Sequence, residues 1–88
     1  MIKKEIEIIE YDNNKGLQFN WEEGFTIKIM CDNGLIEIIA NEAGLCSLAN
    51  HLLNLAQEGV PFGTHIHLDE YNSLEEGSCE IIIEKADI

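Results

Sequence analysis

The sequence contains no arginine, a single proline, and no apolar run of the length that a membrane span requires. A spanning helix takes about 20 consecutive apolar residues, and the first residues, Met1-Ile2-Lys3-Lys4-Glu5, lack the apolar region of a secretion signal. Without arginine, the planar side chain that most often grips phosphates and carboxylates is missing. We therefore expect a cytoplasmic protein without an anion-binding catalytic site.

Cysteine is also scarce, and its spacing excludes two common uses. Cys31, Cys46 and Cys79 are odd in number and include no C-x-x-C pair, which argues against a disulfide framework and a structural zinc site. Free thiols favour a reducing compartment. The sequence lacks a glycine-rich phosphate loop and the motifs G-x-S-x-G and H-E-x-x-H. We expect no enzymatic activity and no cofactor.

Positive charge is too sparse to balance the negative charge. The chain has 17 Asp and Glu residues against five lysines, which gives a formal net charge of −12 at pH 7. Such an excess projects a negative field that salt screens over about 8 Å under physiological conditions. The field repels nucleic acid and anionic membranes and attracts basic partners. Solubility alone is the other explanation of this acidity.

Hydrophobic patterning predicts one domain over residues 1–88 with an α+β fold. Alternating apolar residues predict six strands: residues 4–11, 17–21, 25–31, 35–40, 64–69 and 78–85. One helix between the fourth and fifth strands is indicated by apolar residues at helical spacing. We expect the order β-β-β-β-α-β-β in a single, mainly antiparallel sheet of about six strands, with the helix packed on one face.

Two turns predict the register of the first hairpins. A two-residue turn at Asn33-Gly34 places Ile29 opposite Ile38. In this register every apolar pair of the hairpin lies on one face. A three-residue loop that ends at Gly24 places Trp21 opposite Phe25 for the same reason. Gly24 then needs the left-handed backbone conformation that glycine favours.

The predicted helix has an Asn41 N-cap and a stop at Gly59. Its apolar stripe is expected to cover the sheet: Leu45, Leu48, Ala49, Leu52, Leu55 and Ala56. His51 is expected to lie on the outer, solvated side. On the strands, Cys31 and Cys79 are expected to face the core.

The segment His65-Ile66-His67-Leu68-Asp69 carries the chemistry of the chain. Alternation directs both histidines and Asp69 away from the core. The loop that follows is rich in acids, and the predicted partner-binding residues are His65, His67, Asp69, Glu70, Glu75, Glu76, Glu80 and Glu84. The two histidines, about 6.6 Å apart along a strand, are also candidates for a metal site with Asp69 or Glu80 as a third ligand. Protonation of these histidines would also make partner binding depend on pH.

The stretch from Asn41 to Glu84 resembles the immunity protein 32 family of bacterial polymorphic toxin systems. The resemblance is carried by Gly44-Leu45, Leu48-Ala49, Leu52, Leu55-Ala56, Gly63, His65-Ile66-His67-Leu68-Asp69, Leu74, Ser78 and Ile81-Ile82-Ile83-Glu84. It implies a cytoplasmic, non-enzymatic protein that binds a cognate toxin, expected to be basic. Two alternatives remain: a small metal-binding protein or metal-dependent enzyme that uses His65, His67 and Asp69, and a homo-oligomeric module, such as a homodimer, joined by an edge strand.

Overall fold

The computed structural model describes all residues, 1–88. Four strands and one helix follow one another as β1 (Ile27–Asp32), β2 (Leu35–Ala40), α1 (Glu42–Ala56), β3 (His65–Leu68) and β4 (Ile81–Glu84). The strands form two separate antiparallel pairs, β1 with β2 and β3 with β4. The α+β composition agrees with the expectation, but the predicted single sheet of about six strands is wrong. No helix has the length and apolar character that crossing a membrane requires.

The β1–β2 hairpin has the predicted register. Ile29 lies opposite Ile38, and Ile27 lies opposite Ala40. Asn33 and Gly34 have φ values of 50° and 79°, which is the left-handed pair that a tight two-residue hairpin needs. Local turn chemistry is therefore sufficient to align these two strands.

The second edge of β1 contacts the chain just before β4, without forming a full ladder. The N–H of Cys79 donates to the carbonyl of Ile29 at 2.7 Å, and the N–H of Glu75 donates to the carbonyl of Ile27 at 2.8 Å. Between them, the Ser78 hydroxyl accepts from the N–H of Ile29 at 3.1 Å. A side chain thus takes the place of a backbone partner, and the two strand pairs remain separate.

The N-terminal part of the chain forms neither of its two predicted strands. Residues 4–11 and 17–21 belong to no strand, although their apolar residues alternate. Part of the predicted turn is present, because the N–H of Phe25 donates to the carbonyl of Glu22 at 3.2 Å and Gly24 has a φ of 77°. Instead of pairing as strands, these segments bind polar side chains of α1.

The core cluster consists of Ile27, Ile29, Leu68 and Leu74. The alternation predicted for β3 is confirmed, because Ile66 and Leu68 are buried whereas the two histidines are exposed. In β2 the predicted inward face is not covered. Ile36 and Ile38 remain 60% and 49% exposed, since the helix makes few contacts with this strand.

Helix α1 begins as predicted but buries a different face. The Asn41 side chain caps it by accepting from the N–H of Gly44 at 2.8 Å, and it ends at Gln57 rather than Gly59. The predicted inward stripe is wrong for Leu45, Leu52 and Ala56, which are exposed. The buried polar side chains of the molecule are instead all on this helix: Ser47, Asn50, His51 and Asn54. The reason is that the N-terminal segments cover the side of α1 that carries these polar residues, and the pattern of apolar residues does not predict that side to be buried.

Candidate functional site

The exposed face of the β3–β4 pair brings together the residues singled out from the sequence. His65 lies opposite Glu84, and His67 lies opposite Ile82. Residues that oppose one another in an antiparallel pair share a face, and all four are exposed. The strands therefore present two imidazoles, a carboxylate and one isoleucine to solvent.

His67 is the centre of the most concentrated group of polar atoms on this face. Its Nε2 atom lies 3.3 Å from Oε1 of Glu80 and 3.7 Å from Oδ2 of Asp69. These contacts become ion pairs only when the ring is protonated, and an exposed pair contributes about 0–1 kcal/mol. The three side chains place ligand atoms within 4.8 Å of one another, so they are the group that is able to hold a metal ion.

His65 does not join this group. Its Nδ1 atom lies 3.4 Å from the carbonyl of Gly63, and the structure forms the candidate metal cluster without it. The H-x-H pair predicted to converge on one ion therefore separates into one clustered imidazole, His67, and one that faces the preceding turn.

The acidic loop between β3 and β4 is ordered by its own polar side chains. Oδ1 of Asp69 accepts from the N–H groups of Tyr71 and Asn72 at 2.9 and 3.0 Å. Oε2 of Glu70 accepts from the N–H of Gly77 at 2.9 Å, and Leu74 anchors the loop in the core with 5% exposure. These hydrogen bonds give the carboxylates of Asp69 and Glu70 defined positions.

The carboxylates of this face form no close ion pair with lysine, although Lys28 lies beside the loop, where a Cβ atom at Gly77 would be 4.0 Å from its Nζ atom. The close ion pairs of the chain all involve His67. Lys85 is directed elsewhere, since its Nζ donates to the carbonyls of Gln57 and Val60 at 2.6 and 2.7 Å. Glu75, Glu76 and the neighbouring acids are exposed. Most acids of this face are therefore exposed and have no close lysine partner.

The cysteines differ from the expectation of core-facing thiols. Cys31 is exposed, and Cys79 is only half-buried. The neighbouring Cys79 thiol raises the pKa of the Cys31 thiol. Less thiolate is then present near neutral pH, which disfavours this residue as a nucleophile.

A second polar cluster, around His51 on α1, is not found by sequence reasoning. The His51 ring is 1% exposed and lies edge-on to Phe19 and Trp21, with ring centroids 4.6 and 4.1 Å away. Neither ring nitrogen has a hydrogen-bond partner, and burial lowers the pKa of His51 to about 4. The prediction that this histidine is solvated is wrong. The flanking Asn50 and Asn54 concealed it, because three polar residues on a helix normally indicate a wet face.

Comparison with known proteins identifies a family relationship. A family model described as immunity protein 32 matches residues 36–86, more than half of the chain. The match begins in β2, includes α1 and both strands of the second pair, and contains all eight predicted partner-binding residues. No curated protein and no solved structure gave a match.

Proposed function

Because the chain belongs to the immunity protein 32 family, we propose that it protects its producer by binding and neutralising a cognate toxin, in the cytoplasm and without catalysis. The family membership carries this proposal. The absence of lysine ion pairs on the β3–β4 face supports its electrostatic part, since an uncompensated negative surface favours a basic partner.

We assign the toxin-binding surface to the β3–β4 face and its acidic loop. The surface consists of His65, His67, Asp69, Glu70, Glu75, Glu76, Glu80 and Glu84. The carboxylates of Asp69 and Glu80 lie beside His67, and hydrogen bonds made by Asp69 and Glu70 hold the loop in place. Ordered carboxylates of this kind are able to occupy a basic cleft as phosphate mimics. Complementary charge speeds association and selects the partner.

The experiment measures the association rate constant of the purified chain with the toxin encoded beside it, over a series of salt concentrations. We expect the rate to fall by about tenfold or more between low and high salt, because screening removes long-range attraction. Reversal of two loop charges, Glu75→Lys with Glu76→Lys, is expected to slow association at low salt.

The matched control reverses two exposed charges outside the proposed surface, Glu23→Lys with Glu58→Lys. Both double variants change the net charge equally, so a larger effect of the loop variant identifies the surface. Equal effects or a rate independent of salt would remove the acidic surface from the proposal. A wild-type chain that does not bind or inhibit the toxin contradicts the function itself.

A second candidate function, binding of a divalent cation, is favoured by the cluster of His67, Asp69 and Glu80. Imidazole and carboxylate ligands suit zinc. Titration with Zn²⁺ is expected to show one site that disappears in His67→Ala and remains in the control His65→Ala. If all three proteins bind zinc equally weakly, this second function is excluded.

A further inference from the structure

Two N-terminal segments, one around Glu7 and one around Asn20, lie against α1 with a gap between them. The side chain of Asn50 spans this gap. The Asn50 Nδ2 atom donates to the carbonyl of Glu7 at 3.0 Å, and the Oδ1 atom accepts from the N–H of Asn20, also at 3.0 Å. A carboxamide with a hydrogen bond on each side acts as a peptide group of an intervening strand would. The backbones of the two segments are therefore separated by about two strand spacings, ~10 Å.

Both segments have the burial pattern of strands. Ile6 and Ile8 are half-buried whereas Glu5 and Glu7 are exposed, and residues 17–20 alternate in the same way. This period of two is typical of extended backbone over a covered surface. The two segments thus resemble the outer strands of a three-stranded sheet whose middle strand is missing.

The gap is an open groove of about 360 Å³, within the size range of ligand sites. Residues 4–7 form one wall, Asn20 and Glu22 form the other, and Cys46 and Asn50 of α1 form the floor.

The wall formed by residues 4–7 offers unused backbone hydrogen-bonding groups, because only the carbonyl of Glu7 makes a hydrogen bond there. On the opposite wall, the N–H groups of Asn20 and Glu22 already donate to Asn50 and Ser47 of α1. In extended backbone the N–H and C=O of one residue point to the same side, so Glu5 directs its backbone into the groove as Glu7 does. Unpaired edges of this kind are templates for an added strand.

Charge defines the chemistry of the occupant. Glu5, Glu7 and Glu22 are exposed along the walls, and Lys4 is the one cation among the lining residues. In a neighbouring strand, side chains on the solvent side lie beside these carboxylates, where opposite charges are stabilising. The groove therefore suits an extended segment with Lys or Arg at alternate positions.

We propose that this groove binds a basic, extended segment of the cognate toxin as an inserted β-strand. The inference rests on the proposed toxin binding and adds a second contact, remote in sequence from the β3–β4 face. Both walls lie outside residues 36–86, the part of the chain that matches the family, whereas the floor, Cys46 and Asn50, lies within it.

The test compares proline and alanine at two adjacent positions, with the neighbouring toxin as the probe. Proline removes a backbone N–H. Glu5→Pro is expected to weaken toxin binding about tenfold relative to Glu5→Ala, because the lost N–H faces the groove. Lys4→Pro is expected to bind like Lys4→Ala, since its N–H faces away. Neither N–H is used within the free protein, so the folded state tolerates both changes.

A second measurement needs no substitution. Bound toxin is expected to slow alkylation of Cys46 by iodoacetamide about fivefold or more, as site-resolved mass spectrometry would show. Cys31, which is exposed at the end of β1, is the internal control and is expected to keep its rate. Toxin binding with no proline effect and no protection of Cys46 overturns the groove while the toxin-binding function stands. A wild-type chain that does not bind the toxin overturns both.

Discussion

His51 is a single residue whose burial links the N-terminal segment to pH. The ring contacts Phe19 and Trp21, and its pKa is lowered to about 4. In the unfolded chain a histidine binds a proton below about pH 6.5. Between these two values the unfolded state therefore binds more protons than the folded state. Stability is unaffected by His51 above about pH 6.5 and falls as the pH decreases towards 4.

The variant His51→Phe is expected to lose this part of the pH dependence. From pH 7 to pH 5 the wild type should lose about 2 kcal/mol of unfolding free energy more than the variant. Urea unfolding at several pH values measures the free energy of unfolding of both proteins. The contribution of the carboxylates is common to both and cancels in the difference. His65→Phe, at an exposed position, serves as the control and should retain the wild-type slope. An unchanged slope in His51→Phe would contradict the buried neutral ring.

At the scale of elements, α1 packs closely against the β1–β2 hairpin and the preceding Thr26 at Gly44. A Cβ atom there would meet the carbonyl oxygen of Thr26, and would lie 3.0 Å from Cγ1 of Ile27 and 3.1 Å from Cβ of Ala40. The carbonyl belongs to the backbone, so it has little freedom to move. This glycine is present because the helix must pack against the backbone, although glycine lowers helix propensity by about 1 kcal/mol.

Gly44→Ala is expected to destabilise the protein by about 1–3 kcal/mol, the usual cost of overpacking, despite alanine's higher helix propensity. Chemical denaturation measures the change. Gly59→Ala is the matched control, because a Cβ atom at Gly59 contacts nothing within 4 Å and its φ is not left-handed. If Gly44→Ala is as stable as the wild type, the close approach of α1 to Thr26 is wrong.

Some elements of the fold are predictable from neighbouring residues in the sequence, and others are not. The hairpin register follows from Asn33-Gly34, and the alternation of β3 follows from Ile66 and Leu68, since both depend on neighbours in the chain. The segments at residues 4–11 and 17–21 have equally clear alternation but no strand partner. Their partners are side chains such as Asn50 of α1 and Gln57, which caps the C-terminal end of the helix, and no periodicity of the N-terminal sequence reveals them.

The whole molecule combines high charge with a thin core. Only 12 of 88 residues are buried, and the radius of gyration is 13.8 Å, compared with about 12 Å expected for this length. A net charge of −12 repels itself across such a small body. Electrostatic repulsion is therefore expected to be a substantial part of the balance between folded and unfolded chains.

Added salt is consequently expected to stabilise the isolated protein. Between low salt and 0.5 M NaCl the melting temperature should rise by roughly 5 °C, which corresponds to about 1 kcal/mol for a domain of this size. Differential scanning calorimetry measures the shift. The double variant Glu23→Lys with Glu58→Lys, which has less excess negative charge, should show a smaller rise. A melting temperature that falls with salt would show that local attractions outweigh the net repulsion.

The sequence by itself determined the α+β class, the β1–β2 register, the outward direction of His65 and His67, and the resemblance to the immunity protein 32 family. These features depend on turn chemistry, side-chain alternation and a local motif, all of which are written in consecutive residues. The tertiary structure alone decided that His67 joins Asp69 and Glu80 while His65 does not. It also decided that α1 buries a polar side and that the N-terminal segments leave a groove. Those outcomes depend on contacts between residues that are far apart in the sequence. A pattern in consecutive residues cannot predict such contacts.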